Sequence, residues 1–157
     1  MSTAELTLYD KFIPEVEHIL EKKITRHEKL FAICELLADE VETFNWVGFY
    51  LADSGGAREL VLGPFVGPST DHTRIPFGKG ICGQVALSHE TFVSQDVHGE
   101  ENYLSCSVEV QSEIVVPIMK EGRFVAQLDI DSNTKNSITK EQRTLLEDIC
   151  EMLAGEF

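Results

Sequence analysis

The segment Ser112–Asp131, SEIVVPIMKEGRFVAQLDID, decides the fold class. Its two halves, 112–119 and 124–131, are rich in Val, Ile and Leu and predict β-strands. The residues between them, Glu-Gly-Arg at 121–123, are typical of a tight turn. Two strands joined by so short a connection run antiparallel, so the segment predicts a β-hairpin.

A second hairpin is predicted nearer the N-terminus. Residues 46–52 (WVGFYLA) and 59–65 (ELVLGPF) also have strand character, and Ser-Gly-Gly-Ala at 54–57 separates them. Residues 63–76 are rich in Gly, Pro, Ser, Thr and Asp and predict a surface loop, whereas 91–94 predict a short further strand. The hairpins together predict a central, mostly antiparallel sheet.

Helices are predicted at both ends of the chain. Apolar residues recur at helical intervals over 4–23 and 25–41, and Pro14 is expected to kink the first segment or to start a fresh helix. The last helix is expected to follow Thr139 and to run nearly to Phe157. Terminal helices packed on one face of a sheet give an α+β fold, which leaves the other face for a loop-covered ligand pocket.

Charge and composition exclude several function classes. The 157 residues include 13 Lys and Arg against 27 Asp and Glu, a net charge of −14. Nucleic acids and anionic membrane surfaces need clustered cations, so neither is expected as a partner. The N-terminal residues do not resemble a signal peptide, and no apolar run is long enough to span a membrane. A cytoplasmic location is therefore expected.

Two of the four cysteines are candidates for chemistry. Cys82 lies where a Gly-rich loop enters a short helix, and both the helix N-terminus and Lys79 are expected to favour its thiolate. The alternative is a small buried core residue. Cys106 lies in a long irregular loop, where it could meet Cys82 in a transient disulfide. Cys34 and Cys150 occur at apolar helical positions and are assigned to the core.

Three carboxyl groups and two aromatic rings are candidates for a binding site. Asp129 and Asp131 alternate along one strand and so share a face, and Glu113 opens the preceding strand. Carboxylates that share a face repel unless a cation or a proton lies between them, which would suit a ligand ammonium; solvated acids at an exposed sheet edge are the alternative. Trp46 and Tyr50 also share a face, either against a ligand or as sheet packing.

No metal is assigned, because the histidines do not fall at ligand spacings: His72, His89 and His98. Gly78-Lys79-Gly80 before a helix is a weak phosphate signal, since the P-loop ending is missing.

Taken in order, six motifs resemble those of the free methionine-(R)-sulfoxide reductases, which are single GAF-domain enzymes: NWVGFY (45–50), LGPF (62–65), RIPFGKGICG (74–83), DVH (96–98), SEIVVP (112–117) and DIDS (129–132). The resemblance covers about residues 25–155. It implies a GAF domain over 25–157, preceded by an N-terminal helix over 1–24.

The resemblance also implies roles for the candidate residues. Cys106, 24 residues after Cys82, would be the nucleophile that attacks the sulfoxide sulfur, and Cys82 would be the resolving thiol. No bound cofactor is implied, only an external thiol reductant such as thioredoxin. His72 stands where the family usually has a third cysteine. The remaining candidates would form the pocket: Glu113, Asp129 and Asp131 would hold the substrate ammonium and protonate the sulfoxide oxygen, and Trp46 and Tyr50 would wall the methyl-sulfur group.

The wider GAF family suggests an alternative function. Many of its members bind small ligands without chemistry, so this chain could instead be a sensor of cyclic AMP or cyclic GMP. A helix N-terminus could take the cyclic phosphate, and an aromatic ring could stack on the purine. Because terminal helices of GAF domains often pair, a homodimer is expected under either function.

Overall fold

The computed structural model describes residues 7–103 and 108–157. Four α-helices and six β-strands follow one another in these ranges: α1 (Leu8–Glu21), α2 (Arg26–Glu40), β1 (Trp46–Ala52), β2 (Glu59–Val66), β3 (Arg74–Pro76), α3 (Gly80–Ser88), β4 (Phe92–Ser94), β5 (Ser112–Lys120), β6 (Arg123–Ser132) and α4 (Lys140–Leu153). Short 3-10 turns occupy Val97–Gly99 and Ala154–Glu156. No helix in the described ranges is long and apolar enough to cross a membrane.

The six strands form one sheet in the order β3-β2-β1-β6-β5-β4, and every neighbouring pair is antiparallel. The two predicted hairpins are β1–β2 and β5–β6, and both are confirmed. The N-terminal and C-terminal hairpins meet where β1 pairs with β6, so these two strands lie at the centre of the sheet. The α+β class and the mostly antiparallel sheet are confirmed.

Alternation along the central strands divides the sheet into two faces. One face packs against α2 and α4, and α1 packs against these two helices. Together they form the larger core, to which the strands contribute Val47, Phe49, Ile114, Val116, Ile118, Ala126, Leu128 and Ile130. Each fully buried aliphatic side chain stabilises the fold by about 1.5–3 kcal/mol relative to exposure. The opposite face packs against α3 and forms a smaller cluster. The predicted division between a helical face and a pocket face is therefore confirmed.

The terminal helices begin at the predicted caps. Thr25 and Glu28 form a capping box at α2, and Thr139 and Gln142 form another at α4. Pro14 lies inside α1, which continues through it, so the expectation of a fresh helix at Pro14 is wrong. Burial of the α1 side chains Phe12, Val16 and Ile19 holds the segment in one helix although Pro14 cannot donate a backbone hydrogen bond.

The predicted loop over 63–76 is partly wrong. Residues 63–65 fall in both the predicted strand 59–65 and the predicted loop, and the strand is confirmed, since β2 continues to Val66. Residues 74–76, predicted as loop, form the edge strand β3. Pairing with β1 and β3 overrides the weak strand propensity of Gly and Pro. Helix α3 begins at Gly80, so Cys82 lies in its first turn.

Candidate functional site

The sheet register brings the candidate carboxyl groups together on the α3 face. Asp131 of β6 pairs with Glu113 on one side and with Trp46 on the other. Asp129, two residues earlier, pairs with Gly48 and therefore lies in the next row of the same face. Glu113, Asp129 and Asp131 are only 5%, 1% and 2% exposed. The shared face is confirmed, and the alternative of solvated acids at an exposed edge is wrong.

Cys82 lies above this face, because α3 packs its first turn against the strands. The Cys82 Sγ donates a hydrogen bond to Asp129 Oδ2 at 3.3 Å. The Cys82 carbonyl accepts a hydrogen bond of 3.2 Å from Gln127 Nε2, and both side chains are buried. Gln127 precedes Asp129 by two residues on β6, so one strand supplies three polar groups to the site.

Burial favours the protonated forms of Glu113 and Asp131. It raises the pKa of Glu113 well above its ordinary value, and the charges of Asp129 and Asp131 raise it further. Burial also raises the pKa of Asp131 well above its ordinary value, with the charge of Asp129 as the next cause. Three carboxylates this close cannot all be ionised without a cation, so the site holds protons at neutral pH.

Asp129 and Cys82 form a hydrogen-bonded pair in the site. Burial raises the pKa of Asp129, while hydrogen bonds from Glu113 and Cys82 act in the opposite direction. Burial, followed by the charges of Asp129, Glu113 and Asp131, raises the pKa of Cys82 well above its ordinary value. The expectation that the α3 N-terminus and Lys79 make Cys82 a thiolate is therefore wrong: Cys82 is a neutral thiol.

The two aromatic rings form one wall of the site. Trp46 and Tyr50 are buried, and their ring centroids lie 6.4 Å apart at an interplanar angle of 27°. The Trp46 Nε1 donates to the carbonyl of Pro68, and the Tyr50 hydroxyl donates to the carbonyl of His72. A Cβ at Gly48 would lie only 2.4 Å from the Trp46 ring, so glycine is required for the ring to lie flat here.

Two small cavities lie beside the carboxyl groups. One, of about 10 Å³, is lined by Tyr50, His72, Ile75, Lys79, Gly80, Ile81, Cys82, Glu113 and Asp129. The other, of about 40 Å³, is lined by Asn45, Trp46, Pro68, Glu109, Val110, Asp131 and Asn133. The carboxyl cluster therefore separates a thiol side from a tryptophan side.

The predicted phosphate site at the α3 N-terminus is occupied by a side chain of the protein. The Asn102 Oδ1 accepts a hydrogen bond of 2.9 Å from the Gly80 amide. The Asn102 Nδ2 donates to the carbonyls of Gly78 and Gly80. A phosphate could bind to the Gly80 amide only by displacing Asn102.

Comparison with known proteins identifies the fold family. The family model for the GAF domain matches residues 25–157, which run from the start of α2 to the C-terminal residue. This chain belongs to the GAF domain family.

Among similar proteins, one is named only as a GAF domain-containing protein, and two solved structures are of free methionine-R-sulfoxide reductases. GAF domain-containing protein A of Dictyostelium discoideum is 34% identical, over 92% of this chain and 89% of that protein. The structure of the free methionine-R-sulfoxide reductase of Neisseria meningitidis in complex with its substrate is 34% identical, with a TM-score of 0.89 over 100% of this chain and 92% of that one. The reduced fRMsr of Staphylococcus aureus is 33% identical, with a TM-score of 0.87 over 99% of each chain.

The four cysteines of this GAF domain are placed as follows. Cys34 and Cys150 are buried in the helical core, as predicted, and burial raises the pKa of each thiol far above its ordinary value. Cys82 lies in the site. Cys106, the predicted nucleophile, lies outside the described residues.

Three residues of the site were missed or left without a role by the sequence analysis. Gln127 alternates with Asp129 and Asp131, so the period of the strand could have identified it. Asn102 reaches α3 from a region without periodicity, and no sequence signal marks it. His72 lines the cavity beside Cys82. The spacing of the histidines in the sequence indicated no metal-ligand role for it.

A potential metal-ligand set also escaped the spacing argument. The ligand atoms of Cys82, Glu113 and Asp129 lie within 4.8 Å of one another. They come from α3, β5 and β6, and only the packing of α3 on the sheet brings them together.

Proposed function

We propose that this chain reduces free methionine-(R)-sulfoxide to methionine by thiol–disulfide chemistry. The observation that carries the proposal is the buried group of Glu113, Asp129 and Asp131 beside the Cys82 thiol. The names of the Neisseria and Staphylococcus relatives support the substrate class.

The carboxyl cluster can supply the negative charge that pairs with the ammonium of a free amino acid. None of the ion pairs formed by the described residues involves Glu113, Asp129 or Asp131. A substrate ammonium would supply the missing cation and would offset part of the cost of burying these acids. A peptide-bound methionine has no such ammonium, which would explain a preference for the free amino acid.

Trp46 and Tyr50 suit the other end of the substrate. Their stacked rings form a rigid apolar wall beside Asp131 and Asp129. Thioether and methyl groups pack favourably against aromatic rings. We assign these rings to the methyl-sulfur group and the carboxyl cluster to the ammonium and the sulfoxide oxygen.

The reaction needs two thiols, which we assign to Cys106 and Cys82. The Cys106 sulfur attacks the sulfoxide sulfur, and a carboxylic acid of the cluster donates a proton to the oxygen. The Cys106 thiol releases its proton in this attack and so supplies the second proton, with which the S–O bond breaks and the oxygen leaves as water. The Cys82 sulfur then attacks Cys106, the bond to the substrate sulfur breaks, and its electron pair stays on methionine. The two thiols are oxidised to a disulfide.

Asp129 is the group best placed to accept the Cys82 proton in the last step. Its Oδ2 already accepts the hydrogen bond from the Cys82 Sγ. A neutral thiol is a poor nucleophile, so Cys82 needs such a base next to it. An external dithiol of the thioredoxin type would then reduce the disulfide and restore the enzyme.

The homodimer stays a prediction. Its support is the exposure of two large apolar side chains on the terminal helices, Tyr9 on α1 at 41% and Phe31 on α2 at 40%.

The site is less suited to a cyclic nucleotide. The Gly80 amide is already bound by Asn102, and the carboxyl cluster would repel a cyclic phosphate. Calorimetric titration with cyclic AMP and cyclic GMP tests this alternative: heat of binding with either would favour the sensor.

Turnover is the direct test of the reductase. The reduced protein is mixed with dithiothreitol and the R or S epimer of free methionine sulfoxide, and methionine is quantified. We expect methionine from the R epimer only.

Cysteine variants assign the thiols. Cys106→Ser is expected to abolish methionine formation, and Cys82→Ser to prevent disulfide formation. Cys34→Ser, at a buried thiol of the helical core, is the matched control and should retain turnover. No methionine from the wild-type protein would overturn the proposed function.

A further inference from the structure

Cys82, Glu113 and Asp129 form a compact set of metal ligands. One sulfur and two carboxylate oxygens lie within 4.8 Å of one another, and all three residues are buried. One of these separations, from Cys82 Sγ to Asp129 Oδ2, is 3.3 Å. Each ligand comes from a different rigid element, so packing rather than loop conformation holds them together.

These separations suit a tetrahedral zinc ion. Zinc–sulfur bonds near 2.3 Å and zinc–oxygen bonds of about 2.0–2.2 Å place neighbouring ligand atoms roughly 3.4–3.6 Å apart. The Cys82–Asp129 separation already matches this edge. Since no two of the ligand atoms are more than 4.8 Å apart, the other separations need to shorten by about 1.4 Å at most.

Two further features of the cluster point to a bound cation. Asp129 Oδ1 and Asp131 Oδ1 are buried oxygens with no hydrogen-bond partner among the described residues. The three ligand residues also line one cavity of about 10 Å³. That space is close to what one water molecule occupies, and a water is the usual fourth ligand of an open zinc site.

The donor set selects the class of metal. A cysteine sulfur favours zinc and similar soft or borderline ions over magnesium and calcium, which prefer oxygen ligands alone. Asp131 adds a further buried carboxyl group next to Glu113. Lys79 lines the same cavity, but it is an exposed residue and forms no ion pair with the cluster among those of the described residues.

We propose that Cys82, Glu113 and Asp129 bind one Zn²⁺ ion when Cys82 is reduced, with a water as the fourth ligand. Zinc binding breaks the S–H bond of Cys82 and releases this proton, with any proton on the two carboxyl ligands, to solvent. Cys82 becomes a metal thiolate, and a cation lies against the carboxyl cluster. The consequence for turnover rests on the proposed function: zinc would inhibit, because it removes the resolving thiol and competes with the substrate ammonium.

Cobalt provides a spectroscopic test that does not depend on turnover. The full chain is reduced, freed of metal with a chelator, and titrated with Co²⁺ under nitrogen in the absence of added thiols. We expect a sulfur-to-cobalt charge-transfer band that saturates at one Co²⁺ per chain and disappears when Zn²⁺ is added.

Variants then assign the ligands. Cys82→Ser is expected to abolish the band, whereas the core control Cys34→Ser leaves it unchanged. Glu113→Gln and Asp129→Asn are each expected to weaken Co²⁺ binding at least about tenfold, since the loss of supporting groups alone weakens metal sites by 10–100-fold. Circular dichroism confirms that each variant is folded.

The outcomes separate this proposal from the reductase. No band in the wild-type protein, a band that survives Cys82→Ser, or full affinity in both carboxyl variants overturns the zinc site. A single-turnover assay with pre-reduced protein and no added thiol then tests inhibition. Cobalt binding without any methionine formation would support the zinc site and overturn the reductase. Methionine formation without cobalt binding would support the reductase and overturn the zinc site.

Discussion

Glu113 and Asp131 are direct cross-strand partners on β5 and β6, and both of their carboxyl groups are buried. Like charges in this position destabilise a sheet. The arrangement persists because burial raises the pKa of both groups, so that protons remain on the cluster. The fold therefore keeps at its centre a site that is costly without a cation and well matched to one.

Glu113→Gln is expected to stabilise the protein at neutral and alkaline pH. Folding raises the pKa of Glu113 above its ordinary value of 4.5, so the folded state holds a proton that the unfolded chain releases. The proton on Glu113 therefore stabilises the folded state. This stabilisation is complete below about pH 4.5 and is lost as the pH rises towards the raised pKa. The variant has no such loss, and we expect a gain of about 1–2 kcal/mol at pH 8, measured by urea unfolding from pH 4 to 8.

The gain should shrink towards zero at pH 4, where the wild-type carboxyl group is protonated in both states. Glu17→Gln, at an exposed position of α1, is the matched control for the substitution itself. Destabilisation by Glu113→Gln at pH 8 would contradict the assignment of a proton to the cluster.

Cys82 is expected to react slowly with iodoacetamide at pH 7 and faster as the pH rises. Burial is the first cause of its raised pKa and the charge of Asp129 is the second, ahead of Glu113 and Asp131. Asp129→Asn should therefore lower the pKa of Cys82 and shift the labelling profile to lower pH. Asp131→Asn, the matched control, should shift it less. Peptide mass spectrometry measures the rate at Cys82 alone, and labelling at pH 7 as fast as that of a free thiol peptide would contradict the neutral-thiol assignment.

Much of the fold could be predicted because its strongest signals are local. The 46–52 and 59–65 hairpin and the 112–131 hairpin are short strand pairs around turn residues, and the Thr25 and Thr139 caps are local hydrogen-bond patterns. The alternation of Asp129 and Asp131 placed both on one face for the same reason.

The chemistry of the site depends on packing that no local pattern encodes. Cys82 lies in the first turn of a helix, a position that favours a thiolate. Because α3 packs against three buried acids, the pKa of Cys82 is instead raised and the neutral thiol is favoured. The sequence predicts a loop at 74–76, yet pairing with β2 makes these residues the edge strand β3. Asn102 is remote from α3 in sequence, so its hydrogen bonds to Gly78 and Gly80 could not be predicted.

Gly48→Ala is expected to destabilise the protein and to disturb the aromatic wall. The new Cβ would lie 2.4 Å from a Trp46 ring carbon and 2.8 Å from the Phe65 Cβ, which requires the ring to move. Overpacking of this kind costs about 1–3 kcal/mol, measured by urea unfolding. Gly99→Ala is the matched control, because no other atom lies within 4 Å of its added Cβ. A Gly48→Ala variant as stable as the Gly99→Ala variant, with unchanged Trp46 fluorescence, would contradict the close packing.

Asn102→Ala is expected to loosen the start of α3 and with it the position of Cys82. The substitution removes the acceptor for the Gly80 amide and the donor to the Gly78 and Gly80 carbonyls. Loss of such an N-terminal contact costs about 1 kcal/mol, so amide hydrogen exchange at Gly80 should accelerate roughly five-fold. Asn102→Asp keeps an oxygen acceptor and should preserve slow exchange, which separates loss of the cap from a general loss of stability. Equal exchange rates in the wild-type and Asn102→Ala proteins would show that packing of α3 on the sheet, rather than Asn102, fixes the first turn that carries Cys82.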